Sequence, residues 1–180
     1  MRAMNDAVLT GIGTVLSDDP LLTCRLPGMQ DRSPVRVVLD PLLRLPPTSR
    51  MAQTARETPV WIVASEAASS DKESALRELG IDVLRVEGTG RPHLAATLKV
   101  LAARGITRLM VEAGPVLAAA FVAADLVDEA ALFRAPMTLG SDALDALETI
   151  SLTGLTGSPR LVRHGAEPVG GDMLETFVRP

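Results

Sequence analysis

Short β-strand signals alternate with helical signals along nearly the whole chain. Val35-Arg-Val-Val-Leu39 is β-branched, bounded by Pro34 and Asp40-Pro41, and Val60-Trp-Ile-Val63 and Leu109-Met-Val111 are equally short and apolar. Helix-length segments separate several of these runs. A strand that returns parallel to its neighbour needs such a crossover, whereas a tight hairpin does not. The pattern therefore predicts an α/β fold, a three-layer α/β/α arrangement around a mostly parallel, mixed sheet.

A pass along the chain fills in the pieces. Ala7 to Ile12 reads as a strand, followed by a Gly- and Asp-punctuated loop through Asp19-Pro20. The Pro- and Arg-rich stretch from Pro41 to Thr58 reads as a loop over the surface. Ser70 and Glu73 have capping-box spacing; Ala75, Leu76 and Leu79 form an apolar face, and Gly80 marks the stop. Ile81 to Val86 alternates as a strand. Pro92 opens a second helix, lined by Leu94, Leu98 and Leu101 and closed by Gly105. After Glu112-Ala-Gly-Pro115 a third helix runs to Ala124, Ala130 to Phe133 forms another strand, and Ile150 to Val178 reads as a pair of strands. No repeat or linker interrupts the pattern, so residues 1–180 are expected to form one domain.

Composition excludes several function classes. Eighteen Lys and Arg against 22 Asp and Glu give a net charge of −4, which argues against a nucleic-acid partner. One Cys excludes an internal disulfide, and one Cys with two His excludes a zinc finger or a His-rich site, so no metal is expected. The longest apolar run, Val116 to Ala124, is far shorter than a membrane span. Neither a targeting segment nor a membrane partner is expected, and the expected location is the cytoplasm.

Two segments suit ligand chemistry, because open α/β sheets bind ligands where strands end and helices begin. In Glu112-Ala-Gly-Pro-Val-Leu-Ala-Ala-Ala120, Gly114 permits close backbone approach and the amides of the following helix favour an anion. The same residues also suit an ordinary strand-to-helix turn. In Thr10-Gly-Ile-Gly-Thr-Val-Leu-Ser-Asp-Asp-Pro20 the glycines and the Thr14 hydroxyl invite the same reading, although no third glycine completes the dinucleotide fingerprint and Asp18-Asp19-Pro20 also reads as plain turn chemistry. Arg2 and Arg25 flank this segment and have the chemistry to grip a phosphate. Cys24 reads as a packing residue.

The run from Arg2-Ala-Met-Asn-Asp-Ala-Val-Leu-Thr-Gly-Ile-Gly-Thr-Val-Leu-Ser-Asp-Asp-Pro to Arg25 closely resembles the reductase domain of the bacterial bifunctional riboflavin-biosynthesis deaminase/reductase. Pro34 to Pro41, Leu109 to Pro115, Leu126 to Glu129, Ala135-Pro136 and Leu139 to Asp142 extend the resemblance. It implies a dihydrofolate-reductase-like fold and NADPH-dependent reduction of the ribose of 5-amino-6-(5-phosphoribosylamino)uracil to the ribitylamino product. It places substrate contacts at Arg2, Leu22, Arg25 and Glu112. Cofactor contacts fall at Thr14, Asp18 and Pro41, and along Gly114, Pro115, Val116, Leu117, Ala118, Ala119 and Ala120. Asp18 is the candidate catalytic residue, orienting the reacting groups or assisting proton delivery. Arg44 and Ser65 are candidates for the cofactor 2′-phosphate, and a homodimer is implied. The family carries a further strand and helix ahead of the position of Arg2, so the chain is expected to be the reductase domain lacking that first strand and helix. Two other readings stand beside this one: a related reductase acting on another pyrimidine or pterin, and a non-catalytic remnant that binds nucleotide or dimerises.

Overall fold

The computed structural model describes residues 1–88, 93–140, 142–148 and 150–180. The chain divides into two compact units, Met1–Gly114 and Pro115–Pro180. Pro92, expected to open a helix, and Ser141, within the Leu139–Asp142 stretch, lie outside the described residues.

The first unit contains β1 (Ala7–Gly11), α1 (Ile12–Asp18), β2 (Val35–Leu39), α2 (Arg50–Gln53), β3 (Val60–Ser65), α3 (Ser70–Glu78), β4 (Asp82–Val86), α4 (Leu94–Ala103) and β5 (Leu109–Val111). The five strands form a wholly parallel sheet in the order β4-β3-β2-β1-β5. Its central strands are apolar on both faces, as a sheet covered on both sides requires. Val8, Val38, Ile62, Ala64 and Val83 pack on one face with Ile12 and Val15 of α1, Met51 and Ala52 of α2, and Leu76 of α3. The opposite face is served by α4. Its C-cap residue Arg104 lies 5.2 Å from the centre of the Trp61 ring and pairs with Asp82 at 2.9 Å, and Trp61 and Asp82 are neighbours in register. Helices on both faces make the expected three-layer α/β/α arrangement.

Local chemistry sets the helix ends. At α3 and α4, Gly80 (φ +88°) and Gly105 (φ +89°) adopt the left-handed conformation, and each closes a paired C-terminal motif. In the first, Gly80 and Ile81 donate to the carbonyls of Arg77 and Leu76; in the second, Gly105 and Ile106 donate to those of Ala102 and Leu101.

Three expectations need correction here. The segment after β1 is not a loop: residues 12–18 are helical, with Ile12 and Val15 buried one turn apart and the left-handed Asp19 (φ 41°) closing the helix on the Val15 carbonyl. The stretch from Pro41 to Thr58 is not a surface loop, because Leu43, Leu45, Met51, Ala52 and Ala55 are all core residues. The fully buried Asp40 carboxylate draws it inward by accepting the backbone amides of Arg44 and, at 2.8 Å, Leu45. Finally, α3 is capped one residue earlier than expected. Ser69 Oγ accepts the Lys72 amide, and Glu73 is taken up by Arg77 and Arg85.

The second unit holds α5 (Pro115–Ala123), β6 (Glu129–Arg134), α6 (Leu152–Thr156), β7 (Val162–Val169) and β8 (Asp172–Val178). Its strands form an antiparallel sheet in the order β6-β8-β7, with β7 and β8 joined at Gly170-Gly171. The expected pair of strands in the tail is thus present from Val162 onward, while α6 occupies part of the stretch before it. Ala119, Leu147, Leu155, Leu161 and Phe177 form the core of this unit. No helix among the described residues is long and apolar enough to cross a membrane.

Candidate functional site

The strand order fixes where a ligand would sit in the first unit. From β1 the chain steps outward through β2 and β3 to β4, then returns to the other side of β1 as β5. The strand order therefore reverses between β1 and β5, and the carboxyl ends of two such strands are where open α/β sheets bind ligands. Both segments singled out by their glycines end up there. α1 starts directly after β1, and Glu112 to Gly114 follow β5, with the Glu112 amide donating to the Leu9 carbonyl of β1 at 3.0 Å. A Cβ built on Gly114 would lie 3.8 Å from Thr14 Oγ1, so the two turns face each other at ordinary contact distance.

Arg2 and Glu112 meet at this end of the sheet. Arg2 Nε donates to Glu112 Oε2 at 2.9 Å and Nη2 to Oε1 at 2.6 Å, a bidentate fork. Arg2 Nη1 donates to the Thr23 carbonyl at 3.0 Å. The hydrogen bonds to Glu112 are the main cause of a raised Arg2 pKa, so the guanidinium stays charged. With three of its five N–H groups committed, Arg2 keeps one on each terminal nitrogen for a ligand.

Residues 19–25 form a strap whose Thr23 carbonyl accepts from Arg2 and whose Leu21 carbonyl accepts from Arg36 of β2. Leu22 is buried there with a left-handed backbone (φ 52°), an unfavourable conformation for a bulky residue. The Asp19 carboxylate accepts the Arg50 amide at 2.8 Å, and the Cys24 amide donates to Ser33 Oγ at 3.1 Å. Arg25, at the end of the strap, is exposed. Asp18 is exposed at the last position of α1, and Thr14 is half-buried one turn earlier. Pro41 is buried directly after Asp40, and its carbonyl accepts the Ser65 amide. The positions Pro115 to Ala120 form the first turns of α5 in the second unit.

One candidate is withdrawn. Ser65 is buried; its hydroxyl donates to the Gly88 carbonyl at 2.9 Å and accepts the Ala67 amide at 3.2 Å, so its only donor is spent and none is left for a 2′-phosphate. Arg44 keeps an exposed side chain, tethered to Asp40 at 3.4 Å.

Two contributors escaped the reading by motif. The Thr23 carbonyl is a backbone acceptor, which no side-chain pattern advertises. Arg36 is fully buried in β2, and its guanidinium binds Thr54 Oγ1 at 2.9 Å, the Thr54 carbonyl at 3.0 Å, the Leu21 carbonyl at 3.3 Å and the Thr58 carbonyl. Burial lowers its pKa to about 10, partly offset by Glu57. A lone Arg in a β-branched strand was the available signal.

Residues 1–174 match the RibD C-terminal domain. The chain is 34% identical over 184 residues to the riboflavin biosynthesis protein RibD of Escherichia coli, covering 96% of this chain and 48% of that protein. It is 38% identical over 139 residues to RibD of Bacillus amyloliquefaciens, covering 77% of this chain and 37% of that protein. The chain thus spans half or less of these two relatives. A shorter relative from Methanothermobacter thermautotrophicus, named 2,5-diamino-6-ribosylamino-4(3H)-pyrimidinone 5′-phosphate reductase, is 35% identical over 179 residues, covering 98% of this chain and 81% of that protein. Among solved structures, Acinetobacter baumannii RibD superposes over 99% of this chain and 48% of its own, with a TM-score of 0.78 at 25% identity. The fold is thus that of the RibD reductase domains, dihydrofolate-reductase-like, and the chain belongs to the RibD C-terminal domain family.

Proposed function

We propose that this chain is an NADPH-dependent reductase of riboflavin biosynthesis. Its substrate would be a phosphoribosylamino-pyrimidine, 5-amino-6-(5-phosphoribosylamino)uracil, whose ribose is reduced to the ribitylamino product. The observation that carries this reading is the family match over residues 1–174, whose predicted substrate contacts Arg2 and Glu112 lie paired where β1 and β5 end.

The bound nicotinamide would supply the hydride; the protein supplies alignment and exclusion of water. Glu112, held by Arg2, presents a fixed carboxylate to hydroxyl or N–H groups of the substrate. The outward N–H groups of Arg2 and the exposed Arg25 favour the substrate phosphate. Asp18 is assigned to orienting the reacting groups or delivering a proton. Leu22 supplies an apolar contact from the strap.

The residues at these strand ends fit a dinucleotide in part. Gly114 leaves room beside the Thr14 hydroxyl, which suits a pyrophosphate at that turn. Pro41 borders the same end of the sheet, and Pro115 to Ala120 carry their cofactor assignment by family resemblance alone. The exposed Arg44, tethered to the buried Asp40, suits a 2′-phosphate and so favours NADPH over NADH. Cytoplasmic location and a homodimer complete the proposal.

The deciding experiment follows NADPH oxidation at 340 nm with the phosphorylated pyrimidine substrate, alongside thermal unfolding with each nucleotide. Substrate-dependent oxidation and a melting temperature raised more by NADPH than by NADH are expected. A folded chain that ignores both nucleotides and does not turn over would refute the reading.

A further inference from the structure

Arg36 has a buried guanidinium and no salt bridge among the described residues. Glu57 offsets the cost of burying this cation only in part and makes no ion pair with it, so its retention calls for a reason in the bonds it makes. All of those bonds leave the sheet. On one side they reach Thr54 and Thr58, which lead into β3; on the other, Nη1 reaches the Leu21 carbonyl in the 19–25 strap. Leu22 follows, in its left-handed conformation, and the next carbonyl but one, Thr23, is held by Arg2. The carbonyls on either side of Leu22 are therefore each gripped by an arginine. A left-handed leucine persists only where its surroundings over-determine it.

We propose that Arg36 is the positioning residue of this strap: together with Arg2 it fixes the backbone at Leu22 and so sets how Leu22 and Arg25 meet the phosphorylated substrate. Arg36 touches neither substrate nor cofactor; it acts through the Leu21 carbonyl. The consequence for catalysis rests on the reductase reading, whereas the consequence for the strap does not.

The test compares Arg36→Lys with Thr54→Val, using hydrogen exchange of the strap amides and steady-state kinetics. Lysine keeps the charge but cannot span both loops. Thr54→Val removes an anchor of the same guanidinium and leaves the Leu21 bond. Arg36→Lys should speed exchange at the Cys24 amide, which donates to Ser33 Oγ, by about tenfold and raise the substrate KM by about tenfold, with kcat and NADPH affinity within twofold of wild type. Thr54→Val should lower stability without either change. Unchanged strap exchange in folded Arg36→Lys, or equal acceleration by Thr54→Val, would overturn the proposal. Should Arg36→Lys fail to fold, wild-type exchange decides: the hydrogen-bonded Cys24 amide is expected to open together with those of β2, and exchange far faster than β2 would refute the anchoring. A wild-type protein without turnover whose strap still loosens in Arg36→Lys would remove the reductase reading and leave the anchoring intact.

Discussion

Replacing Glu112 with Gln and Arg2 with Met, singly and together, isolates the pair at the centre of the candidate site. The fork has two short charge-assisted bonds, 2.9 and 2.6 Å, between side chains that are 21% and 38% exposed. A fully buried charged bond contributes about 1.5–3 kcal/mol and a solvent-exposed ion pair about 0.2–1 kcal/mol. Partial exposure of Glu112 places the expected coupling near the upper end of the exposed range, about 1 kcal/mol. Arg2→Met also strips the donor from the Thr23 carbonyl, but that loss occurs in both arms of the cycle and cancels in the coupling. The sole tryptophan, Trp61 in β3, reports unfolding of the unit that contains the pair. Urea titrations followed by its fluorescence should therefore give the coupling directly. High salt should shrink it, because the pair is partly open to solvent. A coupling below about 0.3 kcal/mol at low salt would mean that Arg2 does not hold Glu112 in solution. The assignment of Glu112 as a fixed substrate contact would then fail with it.

Other expectations are as direct. Asp18→Asn should lower kcat by at least about tenfold, far more than it weakens NADPH binding, as expected of proton handling; an equal loss of both, or no loss, would refute the catalytic assignment. Arg44→Ala should weaken NADPH binding by about tenfold and leave NADH binding alone, as measured by fluorescence titration. Gly80→Ala should cost about 1 kcal/mol or more in urea unfolding. Its Cβ would add a contact of 3.0 Å to Arg56 Cγ on top of the φ of +88°, whereas Gly105→Ala meets only the backbone term, so the order of the two is the check. Asp125 closes α5 in the left-handed conformation (φ 57°) and is held by Arg160 and Arg179, which lower its pKa to about 2. Its folded pKa lies below the unfolded value, so its stabilising contribution is complete above the ordinary carboxylate range near 3.8 and is lost as pH falls through about 2. Acid titration of Asp125→Asn should lack that part of the slope seen in wild type.

What was legible in the sequence divides by the range of the interactions that decide it. β2 and β5 could be read to the residue, because a β-branched or apolar run between turn signals has one local solution. α1 could not. Gly11, Gly13 and Asp18-Asp19-Pro20 are loop chemistry by local rules, and of the apolar residues at helical spacing, Ile12, Val15 and Leu16, only the first two are buried. The helix forms because those two side chains are buried against the sheet, a tertiary gain that outweighs weak propensity. The inward path of residues 43–55 was hidden for a related reason: it depends on one buried carboxylate, Asp40, that reads as a turn residue. At the site, resemblance supplied Arg2 and Glu112 as separate substrate contacts. No spacing rule joins residues so far apart in the chain; the parallel pairing of β1 with β5 does. That pairing alters the chemistry assigned to Arg2. An arginine read as a free phosphate clamp has most of its donors committed to the protein, so under the proposed function phosphate selectivity would fall more heavily on the exposed Arg25. On that proposal Arg2 would serve substrate recognition chiefly by what it holds still: the Glu112 carboxylate on one side and the Thr23 carbonyl of the strap on the other.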